Sequence, residues 1–148
     1  PEPADLVVAS AGGGPSDINL IQSHKALDNA VRACAPAGTV VLLAECSQGL
    51  GNDRARGWAD LGSADAVLRR LAGEYEIVGG TVEGLLRKCE GFDVRLLSAL
   101  PDAEAQRFGF GFCSAWAGGT LDVTGLVPRG GRAVLLPAAG ITVPVVGP

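Results

Sequence analysis

Short unbroken apolar runs alternate along this chain with stretches whose apolar residues recur every three or four positions. The runs read as buried strands and the periodic stretches as helices. Residues 5–10, 39–45 (TVVLLAE), 93–97 (DVRLL), a stretch within 109–114, and 132–136 (RAVLL, closed by Pro137) are the predicted strands, with a weaker one at 75–78. The first helix is expected to begin at Pro15 or Ser16, the one as first helical residue and the other as N-cap. Leu20, Leu27, Val31 and Cys34 form its apolar stripe, and Pro36-Ala37-Gly38 ends it. Further helices are expected at 54–61, 64–73, 81–89 and 102–108, and 121–127 reads as either helix or extended chain. Strands alternating with helices imply parallel pairing. The expected fold is therefore α/β, a three-layer α/β/α Rossmann-like domain with a mainly parallel sheet. Such folds bind ligands beyond the carboxyl ends of the strands, so the loops at 12–14, 47–52, 98–101 and 138–140 should share one edge.

Composition narrows the partners. At 148 residues, with 47% apolar and 19% charged positions, the chain can bury a core, and a single domain spanning 1–148 is expected. A net charge of −4 without a basic cluster argues against nucleic acid. No apolar run reaches the roughly 18 residues of a membrane helix, and no signal segment opens the chain. Cys34, Cys46, Cys89 and Cys113 are scattered, without CxxC spacing or a neighbouring histidine, so core thiols in a reducing cytoplasm are expected rather than a metal site. Residue 1 is proline and methionine is absent; the chain reads as a domain cut from a longer protein rather than a processed one.

The chemistry concentrates in residues 9–25, ASAGGGPSDINLIQSHK. A strand emptying into three glycines ahead of a helix exposes backbone N–H groups at a positive helix end, which makes Ser10, Gly12, Gly13 and Gly14 a candidate anion-binding loop. At 100° per residue, Ile18, Gln22, Lys25 and Asn29 fall opposite the apolar stripe, so Gln22 and Lys25 should face solvent. The loop is a near miss to a dinucleotide fingerprint. Gly12 and Gly14 fit, Asp17 stands where the third glycine belongs, and Glu45 closes the second strand 31 residues after Gly14 instead of about 20. Glycines that merely permit a tight turn are an equal reading. On periodicity alone, Lys25 is an ordinary solvated lysine. His24, the one histidine, sits at the edge of the core stripe and reads as packed rather than catalytic. Asp28, Asp53, Asp60 and Asp65 read as surface acids, and Trp58 and Trp116 as packing residues.

These residues also carry a family resemblance. Ser10, Gly12, Gly13, Pro15 and Asp17 match S-x-G-G-x-P-x-D. Asn19, Leu20, Gln22, Lys25, Ala26 and Leu27 match N-L-x-Q-x-x-K-A-L, and Ala44, Glu45, Cys46, Gly49 and Gly51 match most of A-E-C-x-E-G-x-G. With the closing VLLPAAGITVPVV, the chain resembles the C-terminal domain of the nickel-dependent lactate racemase family. The resemblance implies a two-domain 2-hydroxyacid racemase or epimerase, an isomerase, of which this chain is the substrate-closing domain and is inactive alone. It assigns a nickel-pincer nucleotide, and the two histidines that move protons, mainly to an N-terminal partner domain. To Gln22 and Lys25 it assigns the substrate's carboxylate or hydroxyl. Ile21 replaces the family's aromatic residue and Thr81-Val82-Glu83 its His-Lys-Ala, so the resemblance does not single out lactate. The alternatives are a Rossmann-like nucleotide-binding or structural module without catalysis of its own, and a degenerate domain with no surviving site.

Overall fold

The computed structural model describes residues 2–113, 116–117, 120–145 and 147. In chain order its elements are β1 (Ala4–Ser10), α1 (Leu20–Ala33), β2 (Cys34–Leu43), α2 (Ala55–Ala59), α3 (Ala64–Leu71), α4 (Ile77–Gly91), β3 (Asp93–Leu97), α5 (Asp102–Arg107), β4 (Gly111–Phe112), β5 (Trp116–Ala117), β6 (Thr120–Leu121) and β7 (Ala133–Leu136). Five strands form one parallel sheet in the order β4-β3-β2-β1-β7, while β5 and β6 pair as a small antiparallel ribbon. The chain steps outward from β1 to β4 and then returns past β1 to lay β7 on its other side. The direction of winding thus reverses between β1 and β7, the point where open α/β sheets leave a crevice for ligands.

That winding explains the uneven layers. Right-handed crossovers taken in one direction put successive helices on the same face. There Val7, Ala9, Val40, Leu42, Val94 and Leu96 pack beneath Leu20, Leu27, Leu85 and Trp58 in the main core. The return connection must cover the opposite face. Among the described residues it does so with extended chain and a turn: Leu6, Val8, Val41 and Cys113 lie under Leu121, Val123, Leu126 and Val127. The third layer is therefore non-helical in this part: 121–127, read as helix or extended chain, is strand only at Leu121 and then irregular, with a turn at 124–126. Ser114, the end of the fourth predicted strand, and the side chain of Trp116 lie outside the described residues.

Three expected boundaries move. Helix α1 starts at Leu20, not at Pro15 or Ser16, because Asn19 caps it: its Oδ1 accepts the Gln22 N–H at 2.9 Å. It ends at Ala33, and Cys34 passes directly into β2. The strand expected at 75–78 is instead the start of α4, with Glu76 as its N-cap. The glycines that follow mislead because one of them serves packing. A Cβ on Gly79 would stand 2.9 Å from the Trp58 ring and from Leu71, so the bare backbone is what lets α4 close on that indole. Trp58 is buried, donates its Nε1–H to Glu76 Oε2 at 2.7 Å, and carries the Arg70 guanidinium 4.6 Å from its ring centre, a packing role as expected.

Leu27 is wholly buried between α1 and the sheet. Replacing it by alanine is expected to cost about 2–5 kcal/mol, measured as a shift in the urea unfolding midpoint at unchanged slope.

Candidate functional site

The four expected loops do meet at the carboxyl edge of the sheet, joined by backbone hydrogen bonds. Ala11 N–H donates to Leu43 O (2.9 Å), Ala99 N–H to Glu45 O (2.7 Å) and Ala139 N–H to Ser10 O (2.8 Å). At the β1–β7 reversal, Gly12 and Gly13 take φ values of 100° and 81°, and Ser10 Oγ accepts the Gly12 N–H at 3.1 Å. The glycine loop is exposed, and the 137–140 turn stands beside it, with the Ala138 Cα 3.7 Å from where a Gly12 Cβ would lie.

The helix end expected behind this loop is elsewhere and is fully occupied. Helix α1 begins only at Leu20, well past Gly14, so its positive end does not sit on the glycines. Its first donors are all used: Leu20 N–H to Gly49 O (3.1 Å), Ile21 N–H to Leu50 O (3.2 Å) and Gln22 N–H to the Asn19 cap. The connection between β2 and α2 is held in return, Cys46 N–H donating to Asp17 O and Gln48 N–H to Ile18 O. The docking needs Gly51, whose φ is +84° and whose Cβ would overlap the Asn19 carboxamide at 2.3 Å.

Gln22 and Lys25 are exposed on α1, as the periodicity predicts. Asn29, one turn beyond Lys25 on the same face, donates its Nδ2–H to Ala139 O at 2.7 Å. That bond turns the Gln22–Lys25–Asn29 stripe toward the 137–140 turn, which itself holds Ser10. The lysine's nearest acid on the helix is taken: Asp28 accepts Lys88 Nζ at 2.6 Å and lies 3.9 Å from His24 Nε2. Among the described residues Lys25 makes no ion pair. His24 is partly buried and donates Nδ1–H to Ile21 O, the packed role expected of it. Asp60 and Asp65 pair with Arg107 and Arg87. Asn19 is the positioning residue that periodicity does not mark, its one signal being the N-L-x-Q spacing; periodicity puts Asn29 on the polar face but not its partner, which lies 110 residues away.

Among the described residues no group of three or more His, Cys, Asp or Glu side chains is placed to hold a metal ion, and no helix is long and apolar enough to cross a membrane. Cys34, Cys46 and Cys113 are buried and Cys89 is half-buried, all as free thiols. Burial pushes Cys34 and Cys46 up to about 11 and Cys89 to about 12; in Cys46 a contact with the Ser23 hydroxyl opposes the effect. These thiols pack and are not poised as nucleophiles.

The domain is mainly parallel α/β, with a glycine loop and a polar helix face at its winding reversal, where open sheets of this kind leave a crevice. Residues 1–72 match the family described as the lactate racemase C-terminal domain. Over 57 residues the chain is 39% identical to the lactate racemase of Thermoanaerobacterium thermosaccharolyticum, covering 38% of this chain and 13% of that protein. The structure of the lactate racemase apoprotein from the same organism matches 99% of this chain at a TM-score of 0.79 and 21% identity. The first part of the chain, residues 1–72, is thus similar to the lactate racemase C-terminal domain, the fold is that of the solved relative throughout, and the chain spans 36% of that relative's length.

Two outcomes are expected. Gly51→Ala, forced into a left-handed conformation against Asn19, lowers stability by about 2 kcal/mol or more, read from the denaturant midpoint. The unfolded thiols ionise near 9.0 and the folded ones at about 11 to 12, so in that window the fold retains protons the unfolded chain has lost. Stability under reducing conditions should therefore hold below pH 9.0 and fall as pH rises toward 11; a flat profile over that range contradicts the assignment.

Proposed function

We propose that this chain is the substrate-closing part of a 2-hydroxyacid racemase or epimerase, with Gln22 and Lys25 binding the carboxylate or hydroxyl of the substrate. The observation that carries the reading is the Gln22–Lys25 pair: solvent-facing, one turn apart, and tied through Asn29 to the loop at the winding reversal. An ammonium and an amide suit a small hydroxy acid, the one supplying a point charge and the other directed hydrogen bonds. Inverting such a centre requires a hydride acceptor, a base for the hydroxyl proton on each face, and anchors for the carboxylate. This chain has one histidine and it is committed to Ile21 O, so the anchors are what it contributes. The bases and a nickel-pincer nucleotide, which when bound supplies the hydride acceptor, belong in this reading to an N-terminal domain of the same protein. The isolated domain is inactive in this reading, and the full-length enzyme works in the cytoplasm.

A nucleotide-binding module is the competing reading, and the glycine loop at the reversal speaks for it. Against it, the helix N–H groups that would cradle a pyrophosphate are consumed by Asn19, Gly49 and Leu50. Isothermal calorimetry of the chain with NAD or ATP should show no tight binding. In the full-length protein, Lys25→Ala should lower kcat/KM for its hydroxyacid by about 10- to 100-fold, the scale of a lost charged hydrogen bond, with the unfolding midpoint unchanged. An unaltered kcat/KM would remove Lys25 from the site.

A further inference from the structure

On the α2 side of the α1 N-terminus lies a second cleft, about 600 Å³ in volume, walled by Asn19, Gln48, Leu50, Asn52, Asp53 and Arg56 with the backbone of Gly49 and Gly51 between them. None of the residues assigned to the hydroxyacid lines it. Its volume falls within the range of small-molecule sites, yet its wall is polar, with Leu50 the one apolar side chain.

The wall's hydrogen-bonding capacity is only partly used. Asn19 is 8% exposed; its Oδ1 caps α1, while its Nδ2 has no acceptor among the described residues. No side-chain nitrogen or oxygen sealed from solvent lacks a partner among those residues, so this recessed donor opens onto the cleft that Asn19 lines. Water serves this donor when the cleft is empty, and a ligand oxygen can take that place. Asn52 Oδ1 accepts the Arg54 N–H at 2.9 Å, which turns its own amide donors away from that bond. Gln48 makes no side-chain hydrogen bond among the described residues. Arg56 gives Nε–H and one Nη2–H to Glu104 Oε2, at 3.2 and 3.0 Å, leaving Nη1. Asp53 has no ion pair or side-chain hydrogen bond among the described residues.

Charge then selects the ligand. Glu104 offsets Arg56, so the uncompensated charge on the wall is the Asp53 carboxylate, which opposes an anion. A cation would meet the amide donors and the guanidinium. A hydroxyl both donates and accepts at one atom, and so serves Asp53 and the amides together. We propose that this cleft binds an uncharged polyhydroxylated small molecule, of sugar or polyol type, with Asn19 Nδ2 as its recessed donor and Asp53 as its acceptor.

Saturation-transfer NMR on the full-length protein, with myo-inositol and D-glucose as probes and inorganic phosphate as the anionic control, tests this. The expected result is saturable binding of at least one polyol and none of phosphate. Asn19→Asp keeps an oxygen to cap α1 and replaces the free donor by an acceptor; Gln48→Ala removes a side chain with no internal bond. Each should weaken polyol binding by about tenfold while the unfolding midpoint stays in place. Phosphate binding without polyol binding, no binding of either, or equal binding by both variants would overturn the proposal.

Discussion

The structure turns on how the first helix begins. Three N–H groups at the start of α1 need acceptors, and they take them from Asn19 and from the carbonyls of Gly49 and Leu50. The connection after β2 is thereby locked to the connection after β1, with Cys46 and Gln48 donating in the other direction. Two consequences follow. The helix dipole is satisfied by internal carbonyls and is no anion site, and the exposed polar side chains of α1 lie farther along it. And the 46–53 segment, docked on residues 17–21, supplies most of the wall of the cleft beside α2.

The topology then decides which side chains matter. Four strands wound one way place every long helix on one face of the sheet, and the return past β1 puts the reversal between β1 and β7. The exposed stripe of α1 is aimed there because Asn29 grips Ala139, whose own N–H is fixed to Ser10. The buried Ala139 is thus pinned from both sides. A site assembled this way gains its rigidity from main-chain bonds between loops, and leaves Gln22 and Lys25 free of structural duty.

Much of this was legible in the sequence. The runs at β1, β2, β3 and β7 are too short and too apolar for helices, and α1 shows its period plainly, so fold class and the outward face of Gln22 and Lys25 follow from pattern. What pattern missed depends on distant partners. Ser16 and Pro15 are good local helix starts, but Asn19 wins because Gly49 and Leu50 supply acceptors from far along the chain. Gly79 and Gly80 look like breakers, whereas Trp58 needs the missing Cβ of Gly79. The non-helical cover of the second face follows from winding direction, which no single segment encodes.

Lys25, like Arg32 and Arg69, has no ion pair among the described residues, and on α1 the reason is visible. Most basic side chains here are matched: Arg54 with Glu76, Arg56 with Glu104, Arg87 with Glu83 and Asp65, Arg95 with Asp93. On α1 the matching acid exists one turn on, at Asp28. Lys88 reaches across from α4 to take it at 2.6 Å, anchoring its ammonium also to Gly84 O at 2.9 Å. An i,i+3 pair that local spacing would favour is given up to an interhelical one. The loss to the fold is small, since an exposed helical pair stabilises by only about a few tenths of a kcal/mol. What results is an exposed cation beside the winding reversal with no ion pair among the described residues.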